Sequence, residues 1–328
     1  MMFAALLASA LTATAGECPA APLLRDPDDH VTALSQNLKF IATGGHKVAR
    51  AELLAEYLAV HPEVDLLLLS EARSLGPLRA GLRGWCFYTQ VGHPLAYRWA
   101  AGALSPGGLV LAVRQRSSGE PRHLSAEAGR VCRARPGTLA EGFLGKIAGF
   151  EKGWAVAHVD GTSMVWTHTQ ASYASSPLRG AGGPGAGREG QFADLAADLG
   201  HAEHPVLLTG DLNVLDGAPS PDGGVQAAGR RDARTLSGFS ALTGIRFGSA
   251  GDPCPGGSFL GALRGVADSV FVGATFDRVG TNGAFDAQHV GAQFGCERIE
   301  GEGLRLSDHL GVRIHAPFGA SPVYTLGP

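Results

Sequence analysis

Six short stretches of this 328-residue chain carry polar side chains where a buried core would not want them. The most telling is Thr209-Gly210-Asp211-Leu212-Asn213, which follows the apolar run Pro205-Val206-Leu207-Leu208. An apolar run ending in Gly-Asp-x-Asn reads as a buried strand that delivers two polar side chains to its C-terminal edge. Strand alternation puts Asp211 and Asn213 on the same side of the backbone. An acid and a carboxamide are hard oxygen donors, suited to a divalent metal or a phosphate-bearing substrate. The other stretches are Gln36-Asn37-Leu38, Ser70-Glu71, Thr167-His168-Thr169-Gln170, Asp268-Ser269-Val270-Phe271 and Ser307-Asp308-His309. Each has a bland reading on its own. An Asp or Asn after a strand is usually a turn residue, a lone Glu is usually a cap or surface acid, and a lone His is usually structural. The order and chemistry of all six together change that weighing.

The elements that must position these groups alternate along the chain. Residues 32–40 alternate as a strand, and 48–60 place Leu53, Leu54, Tyr57 and Leu58 at helical spacing. Residues 64–71 form a buried strand ending in Glu71, and 107–113 a strand after a Pro-Gly-Gly turn. Residues 154–159 and 163–167 form a hairpin around Asp160-Gly161. A Gly-, Ala- and Pro-rich surface loop spans about 175–187. Helices follow over 188–199 and 232–242, with late strands over 268–272 and 310–314. Helices interleave with strands and nothing splits the chain, so one layered α/β domain is expected over residues 30–316.

With these motifs in this order, the chain resembles the endonuclease/exonuclease/phosphatase superfamily, whose members cleave phosphodiesters or phosphomonoesters with Mg²⁺. The resemblance spans about residues 32–314, and Arg188-Glu189-Gly190-Gln191 is similar to that family's Arg-x-x-Gln helix. It implies a DNase I-like four-layer α/β sandwich: two packed, mostly antiparallel sheets flanked by helices. It implies Glu71 as the main Mg²⁺ ligand with Asn37 beside it, Mn²⁺ or Co²⁺ being possible substitutes. It gives Asp211 and Asn213 the attacking water and a phosphate oxygen, and His309 the role of general base. Asp268 or Asp308 would orient that imidazole. In the family the Ser-Asp-His acid more often does so, or holds a second metal. His168 would donate to the phosphoryl oxygen.

Within the superfamily the chain is most similar to the secreted sphingomyelinase branch. The His motif reads Thr-His-Thr-Gln-Ala, Lys152-Gly153 precedes the strand at Trp154, and Cys132 lies upstream. The second cysteine that the branch often carries after the His motif is missing from residues 172–187. Some branch members insert an aromatic hairpin into membranes. Here Asn282-Gly283 marks a hairpin tip flanked only by Phe276 and Phe285, which are read as core.

Composition sets further bounds. The chain is 45% hydrophobic and 17% charged, with a net charge of -3, so no overall charge recruits nucleic acid. Residues 1–15 read as a signal peptide, 16–29 as an N-terminal extension and 317–328 as a C-terminal tail, which implies secretion to the periplasm or the exterior. None of the five cysteines forms a CxxC pair, so disulfides are expected rather than a zinc cluster. The leading expectation is a phosphodiesterase that acts on a phospholipid head group at a membrane surface, sphingomyelin first. A secreted nuclease of the same fold is the alternative, and only in that case is a nucleic-acid partner expected. Arg73, Arg98, Arg114, Arg116 and Arg179 are the candidates for its groove.

Overall fold

A computed structural model describes residues 23–25, 30–39, 46–72, 74–89, 108–114, 121–125, 132–135, 152–159, 161–169, 186–214, 223–247, 254 and 276–317. In chain order the strands are β1 (Leu23–Arg25), β2 (His30–Asn37), β3 (Val64–Ser70), β4 (Trp85–Thr89), β5 (Val110–Arg114), β6 (Pro121–Ser125), β7 (Cys132–Arg135) and β8 (Lys152–Val159). They continue with β9 (Thr162–His168), β10 (Val206–Asp211), β11 (Arg246–Phe247), β12 (Asp277–Thr281), β13 (Gln293–Glu297), β14 (Glu300–Gly301), β15 (Leu304–Arg305) and β16 (Gly311–Pro317). The helices are α1 (Lys47–Val60), α2 (Leu75–Gly81), α3 (Ala186–Leu199), α4 (Gly223–Thr243) and α5 (Gly283–Gln288).

Two sheets carry the fold. One runs β1-β6-β8-β9-β10-β12-β11 with β7 beside β8, and the other runs β13-β16-β2-β3-β5-β4. Most pairs are antiparallel; β2 with β3 and β9 with β10 are parallel. The leucine run of β3 lies between β2 and β5, and all seven of its residues are buried. That is why it reads as a continuous apolar run rather than an alternation. On α1, Ala51, Leu54 and Leu58 form a buried stripe at helical spacing.

Three apolar clusters define four layers. Ala33, Leu68, Leu111, Trp166, Leu207 and Ile314 belong to a cluster contributed by both sheets. Leu54, Leu58, Leu67 and Leu78 join α1 and α2 to the outer face of the six-stranded sheet. Phe192, Leu195, Leu208 and Phe239 join α3 and α4 to the outer face of the larger sheet. The expected four-layer α/β sandwich is the architecture observed.

Several details extend or correct the sequence reading. The helix expected over 232–242 runs from Gly223 to Thr243. The Asn282-Gly283 step is not a hairpin tip. Asn282 caps α5, accepting from Phe285 N at 2.9 Å, while its amide donates to Ala202 O and His204 O. Phe276 and Phe285 are buried, as expected of core residues. Cys254 and Cys296 form a disulfide with Cα atoms 5.1 Å apart. Cys86 is also disulfide-bonded. The signal-peptide region, the 175–187 loop up to residue 185, and the strand expected at 268–272 lie outside the described residues.

Arg188 of the Arg-x-x-Gln stretch is fully buried and ion-paired with the equally buried Asp232. Its Nε and Nη2 meet Oδ1 at 3.0 and 2.9 Å, and Nη2 meets Oδ2 at 2.7 Å. This pair pins α3 to α4 behind the larger sheet. Removing one partner strands a buried charge, so Asp232→Ala should lower unfolding free energy by about 3–5 kcal/mol in urea denaturation. The double replacement Arg188→Met/Asp232→Leu should recover most of that loss.

Candidate active site

The topology explains why residues so distant in sequence converge. Parallel strands end at the same sheet edge, so β9 and β10 present His168 and Asp211 side by side. The parallel pair of β2 and β3 does the same for Asn37 and Ser70, with Glu71 one residue on. The antiparallel neighbours begin where these strands end. Asp277, the first residue of β12, lies opposite Asp211, and the turn carrying Asp308 and His309 feeds directly into β16.

Local backbone geometry aims the side chains. Glu71, Asn213 and Lys39 all sit in the left-handed region, with φ of 52°, 49° and 53°. Gly210, at φ 124°, lets β10 press against β9; a Cβ there would lie 2.1 Å from Thr167 O. Asn213 is held from two directions: its backbone N–H donates to Asp211 Oδ1 at 3.0 Å and its side-chain amide to Thr169 O at 2.9 Å.

Asp211 is the hub and is only 2% exposed. Its Oδ2 accepts from Asn37 Nδ2 at 3.0 Å, across the seam between the sheets. The same oxygen lies 3.3 Å from His168 Nε2 and 3.8 Å from His309 Nε2. His168 Nε2 also faces Glu71 Oε1 at 3.6 Å. Gln36 ties the β2 end to the His309 turn, donating to Asn37 O at 2.7 Å and His309 O at 3.2 Å.

One functional residue escapes the sequence motifs. His309 Nδ1 donates to Asp277 Oδ2 at 2.8 Å, so Asp277 fixes the imidazole with Nε2 turned toward Asp211. Among the described residues the hydrogen-bond partner of His309 Nδ1 is Asp277 rather than Asp308. Asp268 lies outside the described residues, and Asp308 is ion-paired with Lys39 instead. No local signal marks Asp277: it opens β12 opposite Asp211, a placement set by strand pairing. The remaining residues expected at the site, Asn37, Glu71, His168, Asp211, Asn213 and His309, are brought together.

The donor chemistry suits a hard divalent ion. Glu71, Asp211 and the Asn37 amide offer oxygen ligands. Glu71 and Asp211 both face His168 Nε2, at 3.6 and 3.3 Å, and Asp211 and Asp277 both face His309, at 3.8 and 2.8 Å. Among the described residues, Asp211, Asp277 and His309 have ligand atoms within 4.8 Å of one another. Because Asp277 is already bonded to His309, we read these three as an acid–base dyad facing a carboxylate rather than as a closed metal cage.

No protein-family model matches the sequence, and comparison with curated proteins finds no match. Solved structures do match. Sphingomyelinase C from Streptomyces griseocarneus superposes with a TM-score of 0.51 at 19% identity, over 89% of this chain and 100% of that one. D. rerio TDP2 complexed with single strand DNA product gives 0.51 at 14% identity, over 88% and 99%. An endonuclease/exonuclease/phosphatase from Bacteroides vulgatus gives 0.50 at 13% identity, over 88% and 98%. The chain has the endonuclease/exonuclease/phosphatase fold. In that fold the dyad and the hub aspartate lie at one rim of the two packed sheets.

Burial alone would disfavour charge on His309. The charges of Asp277 and Asp211, the hydrogen bond to Asp277 and the charge of Asp308 outweigh it and push its pKa up to about 10. The folded value lies above the ordinary value of about 6.5. The stabilisation it contributes is thus complete below about pH 6.5 and lost as pH rises through about 10. In metal-free protein, NMR titration should find His309 still an imidazolium at about pH 8, and Asp277→Asn should move its midpoint down. Stability should fall more steeply across this window than in His309→Gln.

Proposed function

We propose that the chain is a metal-dependent phosphoric diester hydrolase whose substrate is a phospholipid head group, sphingomyelin being the leading case. The observation that carries the reaction class is the Asp277–His309 dyad aimed at Asp211, beside Glu71, Asn37 and His168. Asp277 holds Nδ1–H, leaving Nε2 to take a proton from water. The water oxygen attacks phosphorus, the bond to the lipid oxygen breaks, and that oxygen leaves as a hydroxyl after protonation. His168 donates to a phosphoryl oxygen and stabilises its developing charge. Asp211 and Asn213 orient the water and a phosphate oxygen. Glu71 and Asn37 would hold Mg²⁺, or Mn²⁺ or Co²⁺ in its place, which polarises the phosphoryl group and offsets its negative charge.

The substrate reading draws on three supports. Sphingomyelinase C matches over nearly the whole chain at 19% identity. The Thr-His-Thr-Gln-Ala and Lys152-Gly153 stretches match that branch in sequence. Cys254–Cys296 suits the oxidising compartment to which the apolar N-terminus would direct the chain. Action at a membrane surface requires no span, and no helix among the described residues is long and apolar enough to make one.

A nuclease is the second reading, favoured by the equal TM-score of the TDP2 complex with its DNA product. One of its groove candidates is committed elsewhere. Arg114 donates to the carbonyls of Val64, Leu58 and His61 and lies over the Trp85 ring at 4.8 Å. That makes it a structural clamp between α1, β3 and β4.

Phosphocholine release from sphingomyelin vesicles, with Mg²⁺ and with EDTA, run beside DNA cleavage, separates the readings. Mg²⁺-dependent release with intact DNA is the expected result; DNA cleavage with intact lipid would move the chain to the nuclease reading. Glu71→Ala should lose activity that high Mg²⁺ partly restores. His309→Ala should lose about 10²–10⁴-fold at any Mg²⁺ concentration, and Asp277→Asn should fall in the same direction. Equal, Mg²⁺-independent losses from Glu71→Ala and His309→Ala would sink the assigned roles. Because a divalent cation opposes the carboxylate field, Mg²⁺ should also move the His309 midpoint down in the NMR titration.

A further inference from the structure

Two polar atoms that the reaction does not use lie beneath His168 and Asp211. β9 and β10 run side by side in parallel register, pairing His168 with Asp211, Trp166 with Thr209 and Met164 with Leu207. Alternate residues of a strand share a face. Met164, Trp166 and Leu207 belong to the core between the two sheets, so Thr209 faces that core as well. Trp166 and Thr209 therefore form the side-chain layer directly below His168 and Asp211, about 7 Å along the strands.

Both residues are sealed from solvent, at 1% and 0% exposure. Trp166 Nε1 and Thr209 Oγ1 have no hydrogen-bond partner among the described residues, and they do not bond each other. Their strand neighbours offer only apolar side chains: Ala155 flanks Trp166 on β8, and Val279 flanks Thr209 on β12. An indole N–H can only donate, whereas a hydroxyl can donate or accept. Leaving either unsatisfied in an apolar core is costly, and native structures rarely do so. Neighbouring strands lie about 4.8 Å apart, and one water with two hydrogen bonds of about 2.9 Å bridges a gap of that size.

We propose that Trp166 Nε1 and Thr209 Oγ1 hold one internal water in the core between the sheets, one layer below His168 and Asp211. The water accepts from the indole N–H and donates to the threonine hydroxyl. Two such partners meet the minimum that an internal water needs. The bridge satisfies both polar atoms and ties β9 to β10 directly beneath the site.

A high-resolution crystal structure tests this directly. The expected result is density for a water within hydrogen-bond distance of both atoms. No density there, or a water on only one of them, overturns the proposal. Thermal melting tests the bridge in solution. Thr209→Val keeps the shape of the side chain and removes the hydroxyl. Were the hydroxyl simply unsatisfied, its removal would leave Tm unchanged or raise it. With a bridging water, the indole N–H loses its partner, and Tm should fall by about 2–4 °C. Trp166→Phe/Thr209→Val should lose less than the sum of the single variants, because the second change removes a group that the first has already stranded. A Tm unchanged or raised in Thr209→Val, or single losses that add, would overturn the bridge. Wild-type density decides even where a variant fails to fold. The water needs neither metal nor substrate, so none of these outcomes bears on the metal-dependent reading above.

Discussion

Everything at the rim depends on one buried carboxylate. Asp211 sits where the two sheets meet and accepts a hydrogen bond from each of them, Asn37 on one side and the Asn213 backbone on the other. A buried charge without such donors is costly enough to disrupt folding. The packing of sheet on sheet must therefore be accurate to within hydrogen-bond tolerance before the hub is tolerable at all. Once it is, both imidazoles are in place, because their strands and turns flank the same edge. Folding and site assembly are in this sense a single event.

The polarity of the strands decides which parts of this could be read in advance. Where parallel strands end, an apolar run stops abruptly at an acid or an amide. Glu71, His168, Asp211 and Asn213 were visible for that reason, and so was the layered α/β architecture. Asp277 sits at the start of an antiparallel strand, where an Asp looks like any turn residue, and an apolar stretch after Asp268 offered a competing reading. The Lys39–Asp308 pair joins residues 269 positions apart, and no local pattern carries such information. The Asn-Gly step at residue 282 suggested a hairpin on turn statistics. Tertiary donors and acceptors made it a helix cap instead. Disulfide connectivity was likewise set by the fold, not by spacing.

The fold leaves the substrate open. Sphingomyelinase C and TDP2 complexed with single strand DNA product superpose on this chain with the same TM-score. A shared fold does not by itself select a substrate. Arg114 illustrates how an arginine can be occupied in holding the scaffold: it binds carbonyls around the start of β3, at the end of that strand away from Glu71.

Left-handed backbone at Glu71, Asn213 and Lys39 places three of the rim's working residues where L-amino acids are least comfortable. Each such position stores on the order of 1–3 kcal/mol that the surrounding structure must absorb. Directed evolution for thermostability would therefore be drawn to this rim, where glycine relieves the strain. The most heat-resistant descendants of this chain would tend to be its least active ones.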